Sequence, residues 1–160
     1  TCRDIVYKVL QGYTGGIICY GETGTGKTYT INEIIPQVIQ QLFEDINESD
    51  SETELFKVET SVLEIYKEQV NDLLESNKLN LNLIEQKNKK LIIDELTNVP
   101  VINENQLQEV INIGLSKRNT LNSDYNSKSH FIIILTIHRY NTCEQKMKVG
   151  KLFVIDLEGS

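Results

Sequence analysis

The run Gly21-Glu22-Thr23-Gly24-Thr25-Gly26-Lys27-Thr28 fits the pattern G-x-x-x-x-G-K-[ST] at every fixed position, which ties this part of the chain to one local fold. Glycine lets successive backbone N–H groups turn inward and surround a polyphosphate with donors. The phosphates then sit at a helix N-terminus, where unpaired N–H groups and the helix dipole both favour negative charge. Such a loop therefore needs a strand before it and a helix after it. Gly15-Gly16-Ile17-Ile18-Cys19-Tyr20 reads as a short buried strand, and a helical pattern follows. A Gly/Thr-rich turn matching by accident would need neither flank. The residues predict a nucleoside triphosphate site, with Lys27 reaching the β- and γ-phosphates and Thr28 offering its hydroxyl to Mg²⁺, which prefers hard oxygen ligands.

A chain of 160 residues fits one domain and buries a substantial core. Its formal net charge of −7 argues against a general affinity for nucleic acid or anionic membranes, because both need clustered positive charge. Cys2, Cys19 and Cys143 are widely spaced and lack metal-ligand spacing, which suits a reducing, cytosolic compartment. No apolar run approaches transmembrane length, and Thr1-Cys2-Arg3-Asp4 lacks the layout of a signal peptide. The chain begins with Thr and stops at Ser160 just after an apolar strand pattern, and it reads as a single partial domain cut from a longer protein.

Periodicity predicts the remaining elements. Ile5, Val6, Val9 and Leu10 have helical spacing, with Gly12 as the stop. Ile31, Ile34, Ile35, Val38, Ile39, Leu42, Phe43 and Ile46 form an amphipathic pattern in which Pro36 marks a break or the start of a second helical piece. Leu55 to Tyr66 is a strand signal, and Val70, Leu73 and Leu74 suggest a helical turn after it. Short strands are expected at Leu79 to Ile84 and Leu91 to Ile93, with Lys87-Asn88-Lys89-Lys90 between them as a solvated hairpin tip. Asn103 or Asn105 is expected to cap a helix running to about Leu115, with Gly114 near its end. Phe131 to Leu135 and Leu152 to Ile155 read as strands buried on both faces, joined by a polar loop from Asn141 to Lys148. This order fits an α/β fold of the P-loop NTPase type: a mixed, mainly parallel sheet with helices on both faces and some antiparallel pairing at the long hairpin.

Two further segments, Asn126-Ser127-Lys128-Ser129-His130 and Asp156-Leu157-Glu158-Gly159-Ser160, resemble the two switches of kinesin motor domains, whose patterns read S-S-R-S-H and D-L-A-G-S. Tyr29-Thr30 after the phosphate loop, the Ile34-Ile35-Pro36 step, Leu63-Glu64-Ile65-Tyr66 and Asp72-Leu73-Leu74 resemble that family's runs in the same order. Myosin shares the style of loop, but Ser129-His130 and Leu157-Glu158-Gly159-Ser160 look like kinesin switches. An unrelated small-molecule kinase would leave both switches unexplained.

The resemblance implies ATP and Mg²⁺ as ligands and a microtubule as partner, hence a cytoplasmic, cytoskeletal protein. It implies that Gly21, Glu22, Thr23, Gly24, Thr25, Gly26, Lys27 and Thr28 hold the phosphates while Tyr29 packs on adenine. Thr28, Ser127 and, through a water, Asp156 would serve Mg²⁺. In hydrolysis Ser127 would stand near the attacking water, Gly159 would sense the γ-phosphate, and Lys128 would take the place of an Arg that in the family pairs with a Glu just after the second switch and closes the site. It places Lys87, Lys89 and Lys90 where kinesins have a loop that touches tubulin. It also leaves the phosphate-loop strand at an exposed sheet edge, since its neighbour in the family's sheet order is missing.

Three positions depart from the pattern. Asn126 stands for its first Ser, Lys128 for its Arg and Glu158 for its Ala. Lysine keeps the charge but loses the planar fork of Arg. The stretches from Thr30 to Ile34 and from Arg118 to His130 are shorter than usual. A motor with ATPase activity is the first reading. The alternative is a non-motile module that binds nucleotide but turns it over slowly.

Overall fold

In the computed structural model, which describes residues 2–20, 27–75, 78–119 and 129–157 (the backbone alone at 27–30 and 119), the first helix leads straight into the strand that feeds the phosphate loop. α1 (Cys2–Leu10) buries Val6, Val9 and Leu10. It stops where Gly12 turns to φ +97°, a conformation that residues with a Cβ resist. β1 (Thr14–Cys19) follows at once.

α2 (Lys27–Glu48) is a single helix of 22 residues with Pro36 inside it, so the expected break does not occur. An interior proline costs about 3 kcal/mol, because it removes one helical hydrogen bond and crowds the preceding turn. Ile31, Ile35, Val38, Ile39, Leu42 and Phe43 are buried on both sides of it. Each is worth about 1.5–3 kcal/mol when fully buried. Tertiary burial outweighs the local cost.

The main sheet has the order β1-β8-β7-β2-β3, with β6 paired to β2. Its strands are β2 (Glu54–Tyr66), β3 (Gln69–Asp72), β6 (Val99–Val101), β7 (His130–Asn141) and β8 (Lys146–Asp156). β1 lies at the edge with Ile18 exposed, as expected for the phosphate-loop strand. β4 (Leu83–Glu85) and β5 (Leu91–Ile93) make a separate hairpin whose exposed tip carries Lys87, Lys89 and Lys90. α3 (Glu104–Asn119) is capped by Asn103, whose Oδ1 accepts the Gln106 N–H at 2.9 Å while Gln106 Oε1 accepts the Ile102 N–H at 3.0 Å. That reciprocal pair satisfies two donors at the helix start.

The expected mixed sheet with helices is present, with two differences in its detail. Among the described residues only β1 and β8 pair in parallel; the pairings of β2 with β3, β6 and β7 and of β7 with β8 are antiparallel. Among the described residues all three helices pack on one face of the sheet. Ile5 and Val9 of α1 lie against Gly15, Gly114 of α3 lies against Val62, and α2 contacts both of those helices as well as β1 and β8. That face holds Val58, Val62, Ile133, Leu135, Ile137, Leu152 and Val154, all buried. On the other face Ile132, Ile134, Phe153 and Ile155 are half-exposed, so β7 and β8 are not buried on both sides. Their unbroken apolar runs hid this alternation.

Three smaller expectations also change. Val70 to Leu74 is not a helical turn, because Gln69–Asp72 pairs with Leu63 to Tyr66 across a tight turn at Lys67 and Glu68, both at positive φ. The strand expected from Leu79 shrinks to Leu83–Glu85, with Leu81 bridging to Val70. The polar loop from Asn141 to Lys148 shrinks to the turn at 142–145, since β7 and β8 pair up to Asn141 and Lys146.

Candidate nucleotide site

β1, β2 and β8 run in one direction, so Cys19, Asp156 and Tyr66 close their strands at one edge of the sheet. Cys19 lies in register with Asp156, and the Leu157 N–H donates to the Cys19 carbonyl at 2.9 Å. β1 and the helix starting at Lys27 therefore flank the phosphate loop as the motif requires, beside the carboxyl end of β8. In open α/β sheets, ligands sit outside such carboxyl ends.

One register row crosses five strands at this edge: Asn71, Glu64, Phe131, Asp156 and Cys19. Glu64, Phe131 and Asp156 are 3 %, 1 % and 0 % exposed. A buried carboxylate is costly without a cation or several donors. Arg118, in the last turn of α3, supplies the cation: its Nη1 lies 3.0 Å from Asp156 Oδ2. Its Nη2 donates to the Ser129 carbonyl at 3.1 Å, and its guanidinium centre lies 5.0 Å from the Phe131 ring centroid. The planar fork meets a carboxylate, a carbonyl and an aromatic face together, which a lysine could not do.

The pair also acts on its neighbour. The Cys19 thiol is pushed above its ordinary range by burial and, to a lesser extent, by the negative charge of Asp156. It is therefore held in the neutral form.

Of the residues picked out for the nucleotide site, Asp156 is the one whose side chain is described, and it lies at the strand end expected of it. Lys27, Thr28 and Tyr29 form the first turn of α2, but their side chains lie outside the described residues. Gly21, Glu22, Thr23, Gly24, Thr25, Gly26, Ser127, Lys128 and Gly159 lie outside them altogether. Among the described residues no group of three or more His, Cys, Asp or Glu side chains is placed to hold a metal ion. Among those residues Asp156 suits a cation held through water, as a buried hard-oxygen donor beside the end of β1.

Arg118 escaped the sequence reading. A basic residue in a helix's last turn ordinarily complements the dipole at the surface. Its position just before the Asn126 to His130 segment was the available clue. Ser129 belongs to that segment and Asp156 opens the other, so one side chain grips both switch-like runs.

A profile of the kinesin motor domain matches residues 1–160. The chain belongs to the kinesin motor domain family. It is 36 % identical over 173 residues to Kinesin-related protein 3 of Dictyostelium discoideum, covering 99 % of this chain and 14 % of that protein. It is 34 % identical over 170 residues to the Kinesin-1 heavy chain of Homo sapiens, covering 99 % of this chain and 18 % of that one. The solved structure of a fast kinesin superposes with a TM-score of 0.91 at 31 % identity, covering 98 % of this chain and 48 % of that one. The C-terminal motor and motor homology domain of Kar3Vik1 superposes at 0.86 and 30 % identity, covering 98 % and 42 %. This kinesin chain thus spans under half of each solved structure and less than a fifth of those two relatives.

Proposed function

We propose that the chain is the nucleotide-binding half of an ATP-driven microtubule motor. The observation that carries this reading is the Arg118 bridge between Ser129 and Asp156, beside the strand end from which the phosphate loop departs. Phosphoryl transfer needs charge neutralisation and an aligned water more than covalent chemistry. The backbone of Gly21 to Gly26 and the Lys27 ammonium grip the phosphates, and Tyr29 packs on adenine. Thr28 and Ser127 would hold Mg²⁺ through their hydroxyls, and Asp156 would hold it through a water. The ion would supply charge neutralisation to the polyphosphate. Ser127 sets the attacking water, Lys128 takes the part of the family's Arg in closing the site for hydrolysis, and the Gly159 N–H reads whether the γ-phosphate is present. Loss of that phosphate frees the two segments, which turns hydrolysis into movement.

The microtubule surface is acidic, and the exposed Lys87, Lys89 and Lys90 at the β4–β5 tip give this acidic chain a local basic patch to meet it. The solved fast kinesin is described by its ATPase mechanism and its interactions with microtubules, which fits this partner. A motor that works on microtubules belongs in the cytoplasm, on the cytoskeleton.

Binding of a fluorescent ATP analogue with and without Mg²⁺, paired with Lys27→Ala, tests the site. Affinity should require Mg²⁺ and collapse in the variant; binding unchanged by the substitution refutes the assignment. Reversal of Lys87, Lys89 and Lys90 to Glu in the complete motor should weaken microtubule co-sedimentation. Undiminished pelleting removes the hairpin from the contact.

A further inference from the structure

β4 and β5 form a two-stranded sheet of their own. Such a hairpin is marginal in water without a third strand or a packed face. Its register pairs Leu83 with Ile93, Ile84 with Ile92 and Glu85 with Leu91, so Leu83, Glu85, Leu91 and Ile93 project from one side and Ile84 and Ile92 from the other. Leu83 and Leu91 stand diagonally across the pair, close enough for long side chains to form one apolar patch with Ile93. The two leucines are 61 % and 63 % exposed. Large apolar side chains grouped on an exposed strand pair mark a contact surface.

The tip next to this patch is held in one shape. The Lys89 N–H donates to the Gln86 carbonyl and the Gln86 N–H to the Lys90 carbonyl, both at 2.8 Å, while Asn88 Oδ1 accepts the Lys90 N–H at 3.0 Å. Lys89 closes the turn at φ +63°. Lys87, Lys89 and Lys90 are exposed on this ordered loop, and Lys90 directly precedes Leu91. A surface that covers Leu91 therefore meets the lysines too. It has to be acidic, with an apolar strip beside its charges. A second copy of the same face would bring its own lysines to the contact, where like charges oppose pairing.

We infer that the Leu83 and Leu91 face of the β4–β5 hairpin is an apolar anchor for the microtubule, seated beside the contact that the lysines make. This inference rests on the motor reading and deepens it. The lysines draw the hairpin to an acidic surface and orient it, whereas burial of the leucines supplies a part of the affinity that salt does not screen.

The test is co-sedimentation of the full-length protein with microtubules in a non-hydrolysable ATP analogue, at low and at raised KCl. The double variant Leu83→Thr/Leu91→Thr keeps strand propensity and removes apolar area. It should raise Kd about tenfold, by the same factor at both salt levels, an effect within reach of two leucines that pass from mostly exposed to covered. Reversal of Lys87, Lys89 and Lys90 to Glu should raise Kd most at low KCl, and the gap should close as salt screens the charges. Ile84→Thr, on the opposite side of the same hairpin, should leave Kd in place, and the leucine variant should melt with the wild type. Equal weakening by Ile84→Thr would show that the folding of the hairpin matters rather than this face, and it overturns the inference. A lowered melting temperature of the leucine variant does the same, because it would show the leucines covered within the motor itself. So does a leucine effect that vanishes at raised KCl. The lysine reversal separates the two levels: if it weakens binding while the leucine variant does not, the anchor falls and the basic contact stands, and if neither moves Kd, the hairpin leaves the microtubule contact altogether.

Discussion

Arg118 and Asp156 form an ion pair at 3.0 Å whose side chains are 7 % and 1 % exposed, at the point where α3 ends and β8 delivers its last residue. It is a fixed point between two segments that the proposed function requires to move. Its strength therefore sets how firmly the edge of the sheet is held before any nucleotide arrives.

Replacing one partner of a buried pair leaves an uncompensated charge and costs about 3–5 kcal/mol. Arg118→Ala should destabilise the nucleotide-free motor domain by about that much in urea denaturation. Arg118→Lys, which keeps the charge and loses the fork, should cost clearly less. Replacing both Arg118 and Asp156 by Leu should restore much of the loss, since an apolar pair needs no compensation. A double variant as unstable as Arg118→Ala would show that the packing of the Arg118 stem, rather than its charge, matters.

Two glycines set how closely the helices approach the sheet. A Cβ on Gly114 would lie 2.5 Å from Val62 Cγ1 and 2.9 Å from Val62 Cβ, and one on Gly150 would run into the Val9 carbonyl of α1. Overpacking of this kind costs about 1–3 kcal/mol where a neighbour yields. Gly114→Ala should be partly rescued by Val62→Ala, because the obstacle is a side chain. Gly150→Ala meets backbone and should be the worse of the two, with no comparable rescue. Thermal melts of the three single variants and the Gly114/Val62 double give the ranking; equal losses at the two glycines would contradict it.

What the sequence disclosed and what it hid separate along physical lines. The strand before the phosphate loop and the helix after it were legible because the motif functions only between them. The β4–β5 hairpin with its basic tip was legible from two short strand patterns around six polar residues, Glu85 to Lys90. Pro36 misled because its local cost is fixed whereas the burial of Ile31 to Phe43 is tertiary. The second face of β7 misled because isoleucine at every position from 132 to 134 does not say which side is covered. Arg118 was invisible for a further reason. A residue's partner 38 positions away leaves no local pattern, and only the register of β7 and β8 brings Phe131 and Asp156 beneath it.

Cys19 offers a chemical probe of the same edge. Its thiol is raised by burial first and by the Asp156 charge second, whereas Cys143 is exposed. Thiolate is the reactive species, so iodoacetamide at neutral pH should label Cys143 well before Cys19. Cys19 should gain reactivity only as the pH passes beyond the ordinary thiol range. Asp156→Asn should bring that onset to lower pH by removing the negative neighbour. Peptide mass spectrometry of a labelling time course reads both sites, and equal rates at pH 7.5 would contradict the burial of this thiol.

At the opposite end of the molecule, Arg139 joins three elements. Its Nε donates to Glu54 Oε2 at 3.0 Å, its Nη2 to Glu54 Oε1 at 3.2 Å, and its Nη1 to the Leu10 carbonyl at the end of α1 at 3.1 Å. Asn141 Nδ2 adds a bond to Glu54 Oε1 at 3.0 Å. These contacts, the Arg139 hydrogen bond foremost, hold the Glu54 carboxyl below its ordinary value against an opposing effect of burial. A carboxylate depressed in the folded state contributes stability above its unfolded pKa of about 4.3, and loses it as the pH falls through the folded value. Glu54→Gln keeps the shape and removes the charge. It should cost about 1–2 kcal/mol near pH 7, a figure reduced from the usual charge-assisted range because the pair is partly solvated. As the wild-type carboxyl protonates, the two proteins should converge, with most of the difference gone below the ordinary glutamate range. Melting temperatures measured side by side from pH 7 to pH 3 decide the matter: a constant gap across that interval would mean that the Glu54 charge plays no part in holding α1 to the sheet.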